Sequence, residues 1–253
     1  MMQCDHSFGS TDGAAAFHRV MLVENDEASD DGTEPTAPIF DALPVVAHRP
    51  ECADFAELTG RATDGLYAVV VDGVLSRAEC AALVAATERR GYVPALLNKG
   101  RGREVLEPSF RRGDRRIVDD PRLARLIFDR VRPFVEPSRG RWRLVGANER
   151  LRFLKYAAGD FFKLHGDGSY VRGAGPRRGE TSFVTLLVYL NDGADYASGR
   201  TTLLSADDGR TAVEPAAGRA LLHDHQILHE VPPIEAGVKY VVRTDIMYAR
   251  VPD

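Results

Sequence analysis

Apolar residues follow two different patterns along the chain, and the change falls near residue 143. Before this point, the segments 76–91 and 120–133 space their apolar residues as one face of a helix does. After it, short apolar or alternating runs are separated by turn signals such as Asn191-Asp-Gly, which is typical of β-strands. These runs are 150–156, 182–190, 200–204, 219–223 and 239–248. The pattern predicts helices packed outside one β core, a sandwich or a jelly roll.

Sequence signals also mark where the two helices begin. Ser76 and Glu79 have the spacing of a capping box, in which the hydroxyl accepts from a helical N–H and the carboxylate reaches back. Asp120 before Pro121 combines an N-cap residue with a proline at the first helical position. We interpret the arginine-dense stretch 101–116 between the helices as a loop.

The N-terminal part of the chain differs in composition from the rest. Residues 1–50 carry nine acidic residues against two arginines, whereas the whole chain has a net charge of −4. We therefore interpret residues 1–62 as an acidic, poorly structured arm. The rest is interpreted as one domain, 63–253, with a helical part over 63–142 and the β core over 143–250.

Composition and charge exclude several classes of protein. With 44% hydrophobic and 28% charged residues, the chain is globular. The slightly acidic balance argues against a nucleic-acid partner, and no run approaches the roughly 18 apolar residues of a membrane span. Three scattered cysteines (Cys4, Cys52 and Cys80) are too few for a disulfide framework. The first ten residues lack the pattern of a signal peptide, so we expect a cytoplasmic protein.

The strongest chemical signal is the pair His165 and Asp167. Side chains at positions i and i+2 of an extended segment point the same way, so both can bind one metal ion. Such a triplet is common, and its alternative role is a loop with a capping aspartate. His229, on a later predicted strand, adds a third ligand. Two imidazoles and one carboxylate form the facial triad of non-haem Fe(II) oxygenases, although zinc enzymes use similar ligands.

The last predicted strand carries charged residues on one face. Lys239, Val241, Arg243 and Asp245 share this face by the parity of a strand. Cations turned into a small barrel require a buried anion partner, and the C5 carboxylate of 2-oxoglutarate would be one. The alternative is that this face meets solvent.

Three hydroxyl-bearing residues lie on the strands nearest to these ligands. Thr185 and Tyr189 share one face of the run 182–190, and Tyr156 lies four residues after Arg152. Each either contacts a cosubstrate or is a core residue with a satisfied hydroxyl.

Four segments, in this order, resemble motifs of the prolyl 4-hydroxylase type of Fe(II)/2-oxoglutarate-dependent dioxygenases. They are the strand and metal motif at 152–169, the following strand at 185–192, the glycine-rich segment at 198–203, and the distal histidine with its basic residue at 229–240. The resemblance covers about residues 66–250 and is most specific over 150–249. Arg200 departs from the pattern, since the family usually has a second glycine there.

The resemblance implies a double-stranded β-helix core, in the α+β, mainly β class, with flanking N-terminal helices. It also implies that His165, Asp167 and His229 bind Fe(II). His223 and His225 lie just before His229 and compete with it as ligands. We favour His229 because a basic residue follows it at the spacing found in the family.

For the cosubstrate, the resemblance implies that Lys239 pairs with the C5 carboxylate of 2-oxoglutarate and that Tyr189 donates to the same end. Tyr156 is then close to the cosubstrate pocket. Arg243 either supports Lys239 or binds substrate, because related oxygenases place their basic residue at different offsets.

The expected reaction is hydroxylation of an unactivated C–H bond, using O₂ and 2-oxoglutarate and releasing succinate and CO₂, with ascorbate as the reductant. Desaturation and other oxidative outcomes use the same iron site. The substrate is a small molecule, an amino acid or a peptide, and the sequence does not specify the oligomeric state. Two other hypotheses remain: a cupin-like metalloenzyme that does not use 2-oxoglutarate, and a non-catalytic jelly-roll binding module.

The arginine-dense stretch has two interpretations. Its arginines meet an anionic substrate group or an acidic carrier protein, or they form a solvated face. The residues concerned are Arg111, Arg112, Arg115 and Arg116.

Overall fold

The computed structural model describes residues 38–45, 47, 49–52, 66–100, 103–205 and 209–252. Its two α-helices are α1 (Arg77–Arg90) and α2 (Pro121–Val131), and short 3₁₀ helices cover Phe40–Ala42 and Arg132–Phe134. The strands before residue 150 are β1 (Glu51–Cys52), β2 (Ala68–Asp72), β3 (Val93–Pro94), β4 (Leu97–Asn98), β5 (Glu104–Val105), β6 (Arg111–Arg112), β7 (Asp114–Asp119), β8 (Ser138–Arg139) and β9 (Trp142–Ala147). The later strands are β10 (Arg150–Ala157), β11 (Phe161–His165), β12 (Thr181–Tyr189), β13 (Tyr196–Ser198), β14 (Thr202–Leu204), β15 (Arg210–Ala212), β16 (Ala220–Asp224), β17 (Leu228–Val231) and β18 (Ile234–Arg250).

Two antiparallel sheets face each other in the β core. The large sheet has the order β1-β2-β16-β12-β18-β10-β7-β3, and the small sheet has the order β15-β14-β17-β11-β6. From β10 onward, the chain passes repeatedly from one sheet to the other, so strands that follow each other in sequence are often in opposite sheets. This is the arrangement of a double-stranded β-helix, and the mainly β fold with flanking helices is confirmed.

The strands of the large sheet are buried on both faces. On β10, Leu151 and Phe153 contact the apolar cluster that includes α1 and α2, whereas Leu154 and Tyr156 belong to the cluster between the sheets. This alternation follows from the two-residue period of a strand. The helices therefore cover one face of the large sheet, and the other face is left to build the interior of the β core.

Both helices begin where the sequence predicts. The Ser76 hydroxyl accepts from the Glu79 N–H at 3.1 Å, and the Glu79 carboxylate accepts from the Ser76 N–H at 2.7 Å, which completes the capping box. At α2, the buried Asp120 carboxylate accepts from the N–H groups of Arg122 and Leu123. The prediction of helix starts is confirmed, because capping depends on local spacing alone.

The arginine-dense stretch was interpreted as a loop, and this is wrong. It contains β5, β6 and the first half of β7. Apolar alternation is missing here, so the sequence gives no strand signal. The pairing comes from β4 for β5, from β11 for β6, and from β3 and β10 for β7. The part predicted as helical, 63–142, thus also contributes strands to both sheets.

Most of the arm predicted over residues 1–62 lies outside the described residues. The described pieces of it are ordered: β1 pairs with β2, and Ile39 is buried. The second oxygen of the Asp120 carboxylate accepts from the N–H groups of Ile39 and Phe40, at 2.7 and 2.9 Å. Within the described part of the chain, no helix is long and apolar enough to cross a membrane.

We expect Asp120→Ala to lower the free energy of unfolding by about 2–4 kcal/mol, because it removes a helix cap and leaves buried N–H groups unsatisfied. Urea unfolding measured by circular dichroism checks this. The matched control is Asp119→Ala, since the neighbouring side chain is 47% exposed and meets Arg150 only at 3.5 Å. Equal destabilisation by both changes would contradict the role given to Asp120.

Candidate active site

His165 and His229 face each other from neighbouring strands of the small sheet. They are direct partners in the antiparallel pairing of β11 with β17, and their ring centroids are 4.3 Å apart. Both side chains are buried. Sheet pairing thus brings together two histidines that are far apart in the sequence.

The backbone fixes which nitrogen of each ring carries the proton. His165 Nδ1 lies 2.7 Å from the Lys163 carbonyl oxygen, and His229 Nδ1 lies 3.1 Å from that of Ile227. A carbonyl oxygen only accepts, so in each neutral ring Nδ1 is the donor and Nε2 keeps its lone pair. Burial, with the nearby imidazole of His229, lowers the pKa of His165 well below its ordinary value. His165 is therefore neutral and able to bind a metal ion.

Asp167 lies just beyond β11, with its carboxylate directed at both imidazoles. Its oxygens are 4.0 Å from His165 Nε2 and 3.8 Å from His229 Nε2. Its backbone N–H donates to the His225 carbonyl oxygen at 2.9 Å. Burial alone would raise the pKa of Asp167, but the attraction of the Arg243 guanidinium outweighs it and holds that pKa well below its usual range.

The donor set fits a divalent metal ion. The ligand atoms of His165, Asp167 and His229 all lie within 4.8 Å of one another. Two imidazole nitrogens and an ionised carboxylate form the 2-His-1-carboxylate set that suits Fe(II) and leaves coordination positions open. The carbonyl groups behind both rings fix their orientation, as expected around a metal.

The two competing histidines take different positions. His223 Nε2 also faces Asp167, at 4.0 Å, and burial lowers the pKa of His223 to about 3. The ring of His225 turns away, and its Nε2 lies 3.5 Å from Asp245. His223 is thus a neutral neighbour of the candidate metal site, whereas the His225 side chain is outside it.

The charged face of β18 points into the space between the sheets. Lys239 is 1% exposed, and Arg243 and Asp245 are also buried. The alternative that this face meets solvent is therefore wrong. Both faces of this strand are covered, one by the helices and one by the small sheet.

The ammonium group of Lys239 meets only neutral oxygen atoms among the described residues. Nζ donates to the Gly199 carbonyl oxygen at 2.8 Å and to the Thr201 hydroxyl at 3.2 Å. Gly199 has φ of 67°, and a Cβ atom there would lie 1.9 Å from the Ile234 side chain, so glycine is required. Burial lowers the pKa of Lys239 to about 7.

The hydroxyl-bearing residues differ in their access to the cavity. Tyr156 and Thr185 line it together with the metal-site residues and Lys239. The Thr185 hydroxyl donates to the Asp167 carboxylate. Tyr189 is fully buried, and its ring centroid lies 5.6 Å from Lys239 Nζ. Burial raises the pKa of Tyr189 far above its ordinary value, so its hydroxyl remains protonated.

A network of buried charges lies behind the candidate metal site. One nitrogen of the Arg243 guanidinium is 3.2 Å from Asp167 and 3.3 Å from Asp245. Arg152, the partner of Arg243 on β10, reaches the other oxygen of Asp245 at 3.4 Å. Burial would raise the pKa of Asp245, but Arg243, His225 and Arg152 hold it below its usual range. Arg243 therefore connects the candidate iron ligand to a second buried carboxylate.

The four arginines of this stretch take three different positions. Arg111 and Arg115 line the cavity, and Arg115 forms a two-point ion pair with Glu104 of β5. Arg112 is exposed. Arg116 points the other way and donates to the last carbonyl groups around α1. Of the two interpretations, the solvated face fits Arg112, whereas the buried Arg116 fits neither.

Sequence reasoning missed several members of the site. Phe162 stacks on His165, with ring centroids 3.6 Å apart, and Thr201 contacts Lys239. Arg152 is found only through pairing, since it lies opposite Arg243. His223, considered from the sequence only as a competing ligand, lies opposite Thr185 and faces Asp167. The parity of each strand gave the correct face, but the register between strands was needed to bring these residues together.

Comparison with known proteins supports the same family. The family model described as the 2OG-Fe(II) oxygenase superfamily matches residues 151–244. A search among curated proteins found no match.

Three solved structures share the fold. A prolyl hydroxylase from Trichoplax adhaerens, in complex with a hypoxia inducible factor peptide, has a TM-score of 0.55 and 18% identity over 71% of this chain and 82% of its own. A viral collagen prolyl hydroxylase from Paramecium Bursaria Chlorella virus-1, in a 2OG complex, has a TM-score of 0.51 and 22% identity over 73% and 98%. A Pseudomonas putida prolyl-4-hydroxylase has a TM-score of 0.50 and 18% identity over 78% and 96%.

The matched segment runs from β10 into β18 and contains both histidines, the aspartate and the basic residue of the site. Residues 151–244 thus match the 2OG-Fe(II) oxygenase superfamily, and the fold around them is shared with prolyl hydroxylases.

Proposed function

We propose that this enzyme hydroxylates a C–H bond of its substrate, with iron held by His165, Asp167 and His229 and with 2-oxoglutarate held by Lys239. One observation carries the proposal: three metal-ligating side chains and a buried lysine line the same cavity. A cosubstrate that chelates iron at one end and carries a carboxylate at the other matches these two features.

The protein's own residues prepare the iron site before any ligand binds. When bound, Fe(II) supplies the activation of O₂ that couples oxidative decarboxylation of 2-oxoglutarate to oxidation of the substrate. The Nδ1 atoms of His165 and His229 lie against backbone carbonyl oxygens, so their Nε2 atoms are the ones presented to the metal. Asp167 stays ionised, and the hydrogen bond from Thr185 together with the ion pair to Arg243 orients its carboxylate. We assign both partners to positioning of Asp167.

Lys239 is the residue that recognises the far carboxylate of the cosubstrate. Among the described residues it has no carboxylate partner, and an incoming anion would supply the missing counter-charge. Tyr156 forms part of the adjoining wall, and Tyr189 packs behind the ammonium group. We assign Tyr156 to direct contact with the cosubstrate and Tyr189 to support of Lys239, with its hydroxyl available as a donor.

The products are the hydroxylated substrate, succinate and CO₂. Ascorbate is the proposed external reductant that keeps the iron ferrous, and no residue of this chain is assigned to it. The substrate is a small molecule, an amino acid or a peptide.

We expect the purified protein to develop a visible charge-transfer band under anaerobic conditions only when Fe(II) and 2-oxoglutarate are both added. His229→Ala should abolish the band because it removes one of three ligands. Absorption spectroscopy measures this directly, without knowledge of the substrate.

His225→Ala is the matched control, because its ring contacts Asp245 and its substitution leaves two imidazoles at the candidate site. We expect this variant and His223→Ala to keep the band. Loss of the band in His223→Ala but not in His229→Ala would reassign the ligand. Iron binding without any effect of 2-oxoglutarate would favour the cupin-like alternative, and no iron binding would favour a binding module.

The affinity for 2-oxoglutarate should fall as the pH rises above about 7. Buried Lys239 has a pKa of about 7 without an anion, whereas the bound carboxylate favours the ammonium form. Above this pH, binding of 2-oxoglutarate therefore requires uptake of a proton by Lys239. This requirement weakens the affinity by up to about tenfold per pH unit, until the pH approaches the ordinary pKa of lysine. Isothermal titration calorimetry of the Zn(II)-loaded protein in buffers of different ionisation enthalpy measures both the affinity and the proton uptake.

Lys155→Met is the control for this pH dependence. Lys155 pairs with Glu88 at 2.8 Å outside the cavity, and this change should leave both the affinity and the proton uptake as they are. Lys239→Met should remove most of the binding. Over about two pH units the expected loss of affinity for 2-oxoglutarate is roughly hundredfold. A constant affinity between pH 7 and pH 9 in the unsubstituted protein would therefore argue against Lys239 as the carboxylate-binding residue.

A further inference from the structure

We propose that the substrate is a small molecule with an anionic group, a carboxylate or a phosphate, and that Arg111 binds this group. The inference rests on the proposed function, because it concerns the substrate of the same cavity. It follows from the position of Arg111, from its unused hydrogen-bonding capacity and from the charges that line the cavity.

Strand geometry directs Arg111 inward and its neighbour outward. β6 is the edge strand of the small sheet and pairs with β11, so that Arg111 lies opposite Phe162. Side chains alternate along a strand. Arg111 accordingly lines the cavity, whereas Arg112 is exposed.

Arg111 is separated from the candidate iron ligand by a single ring. Its guanidinium carbon lies 4.5 Å from the centroid of Phe162, and Phe162 stacks on His165 at 3.6 Å with an interplanar angle of 22°. A molecule whose anionic group is bound by Arg111 would therefore have to span only one aromatic ring to reach the metal site. A small molecule is long enough for this.

The guanidinium of Arg111 has more N–H donors than the described residues accept from. NH1 donates to the Leu96 carbonyl oxygen at a long 3.4 Å, and the buried Nε has no hydrogen-bond partner among the described residues. A guanidinium presents five N–H donors in a planar fork that matches carboxylate and phosphate oxygens. A buried donor left without a partner is costly, so an oxyanion at this position would stabilise the site.

The charges around the cavity also favour an anion. In the described part of the chain, five cationic side chains line the cavity, against two carboxylates in its wall and one just behind it. The cations are Arg111, Arg115, Arg152, Lys239 and Arg243, and the carboxylates are Glu104, Asp167 and Asp245. Fe(II) and doubly charged 2-oxoglutarate cancel each other, so the count of these side chains keeps an excess of positive charge when both are bound. A positive lining attracts an anionic group more strongly than a neutral one.

The test uses the full-length protein loaded with Zn(II) and saturating 2-oxoglutarate, with thermal unfolding as the readout. The probes are propionate and methyl phosphate, with propionamide as the neutral counterpart, at constant ionic strength. Loading itself should raise Tm, since the ligands bind the folded state. An absence of this first shift would speak against the proposed function rather than against the anion site.

On the loaded protein, we expect at least one of the two anions to raise Tm further in a saturable way, and propionamide to leave it unchanged. Propionate alone would indicate a carboxylate substrate, and methyl phosphate alone a phosphate. Arg111→Gln should weaken the apparent affinity for the anion roughly tenfold to a hundredfold, the value of a hydrogen bond to a charged group. Arg112→Gln, the matched change on the same strand, should keep the wild-type affinity.

Three results would overturn the proposal. The first is no saturable stabilisation by either anion, and the second is equal weakening in Arg111→Gln and Arg112→Gln. The third is loss of the Zn(II) and 2-oxoglutarate shift in Arg111→Gln, because Arg111 would then act by supporting the Phe162–His165 stack.

Discussion

Compensation of buried charge is the constraint on which the interior of this protein depends. β18 places Lys239, Arg243 and Asp245 between two sheets, where each unpaired charge would cost several kcal/mol. Arg243 is stabilised between Asp167 and Asp245, and the second oxygen of Asp245 meets Arg152. The candidate iron ligand is thus one member of a larger set of ion pairs, which keeps it ionised although it is buried.

Buried charge is compensated in different ways at the two ends of the cavity. Around Asp167 the protein supplies both signs of charge itself, and the orientation of the carboxylate is set before a metal arrives. Around Lys239 it supplies only the Gly199 carbonyl and the Thr201 hydroxyl, so the ammonium form is disfavoured until an anion is present. The cavity therefore has two different ends, with the preorganised candidate metal ligands at one end and a buried lysine without a carboxylate partner among the described residues at the other.

Those features that depend on local spacing could be predicted from the sequence. The capping box at Ser76, the cap at Asp120 and the face shared by Lys239 and Arg243 are examples, because turn geometry and strand parity are properties of short segments. The jelly-roll fold could also be predicted, from the number of short strands and the order of the motifs. The convergence of His165 with Asp167 follows from their spacing, whereas His229 is brought to them by pairing between strands.

Features that depend on register could not be predicted in this way. The contacts of Arg152 with Asp245 and of Phe162 with His165 require the offset between strands that are far apart in sequence. The arginine-dense stretch was misinterpreted for a related reason. Its strands carry charged residues on both faces, Arg115 toward the cavity and Arg116 toward α1, so no apolar alternation reveals them. They are strands because neighbouring strands pair with them.

The edge position of β6 has a consequence for how such an enzyme can diversify. β18 pairs with four other strands and carries charged site residues on one face and core residues on the other, so a one-residue insertion within it would exchange the two faces. β6 has a partner on one side only and contributes two residues. Its inward side chain can be replaced without altering the register of the central strands. Descendants of this chain could therefore acquire new substrate preferences at the margin of the small sheet while their iron chemistry stays the same.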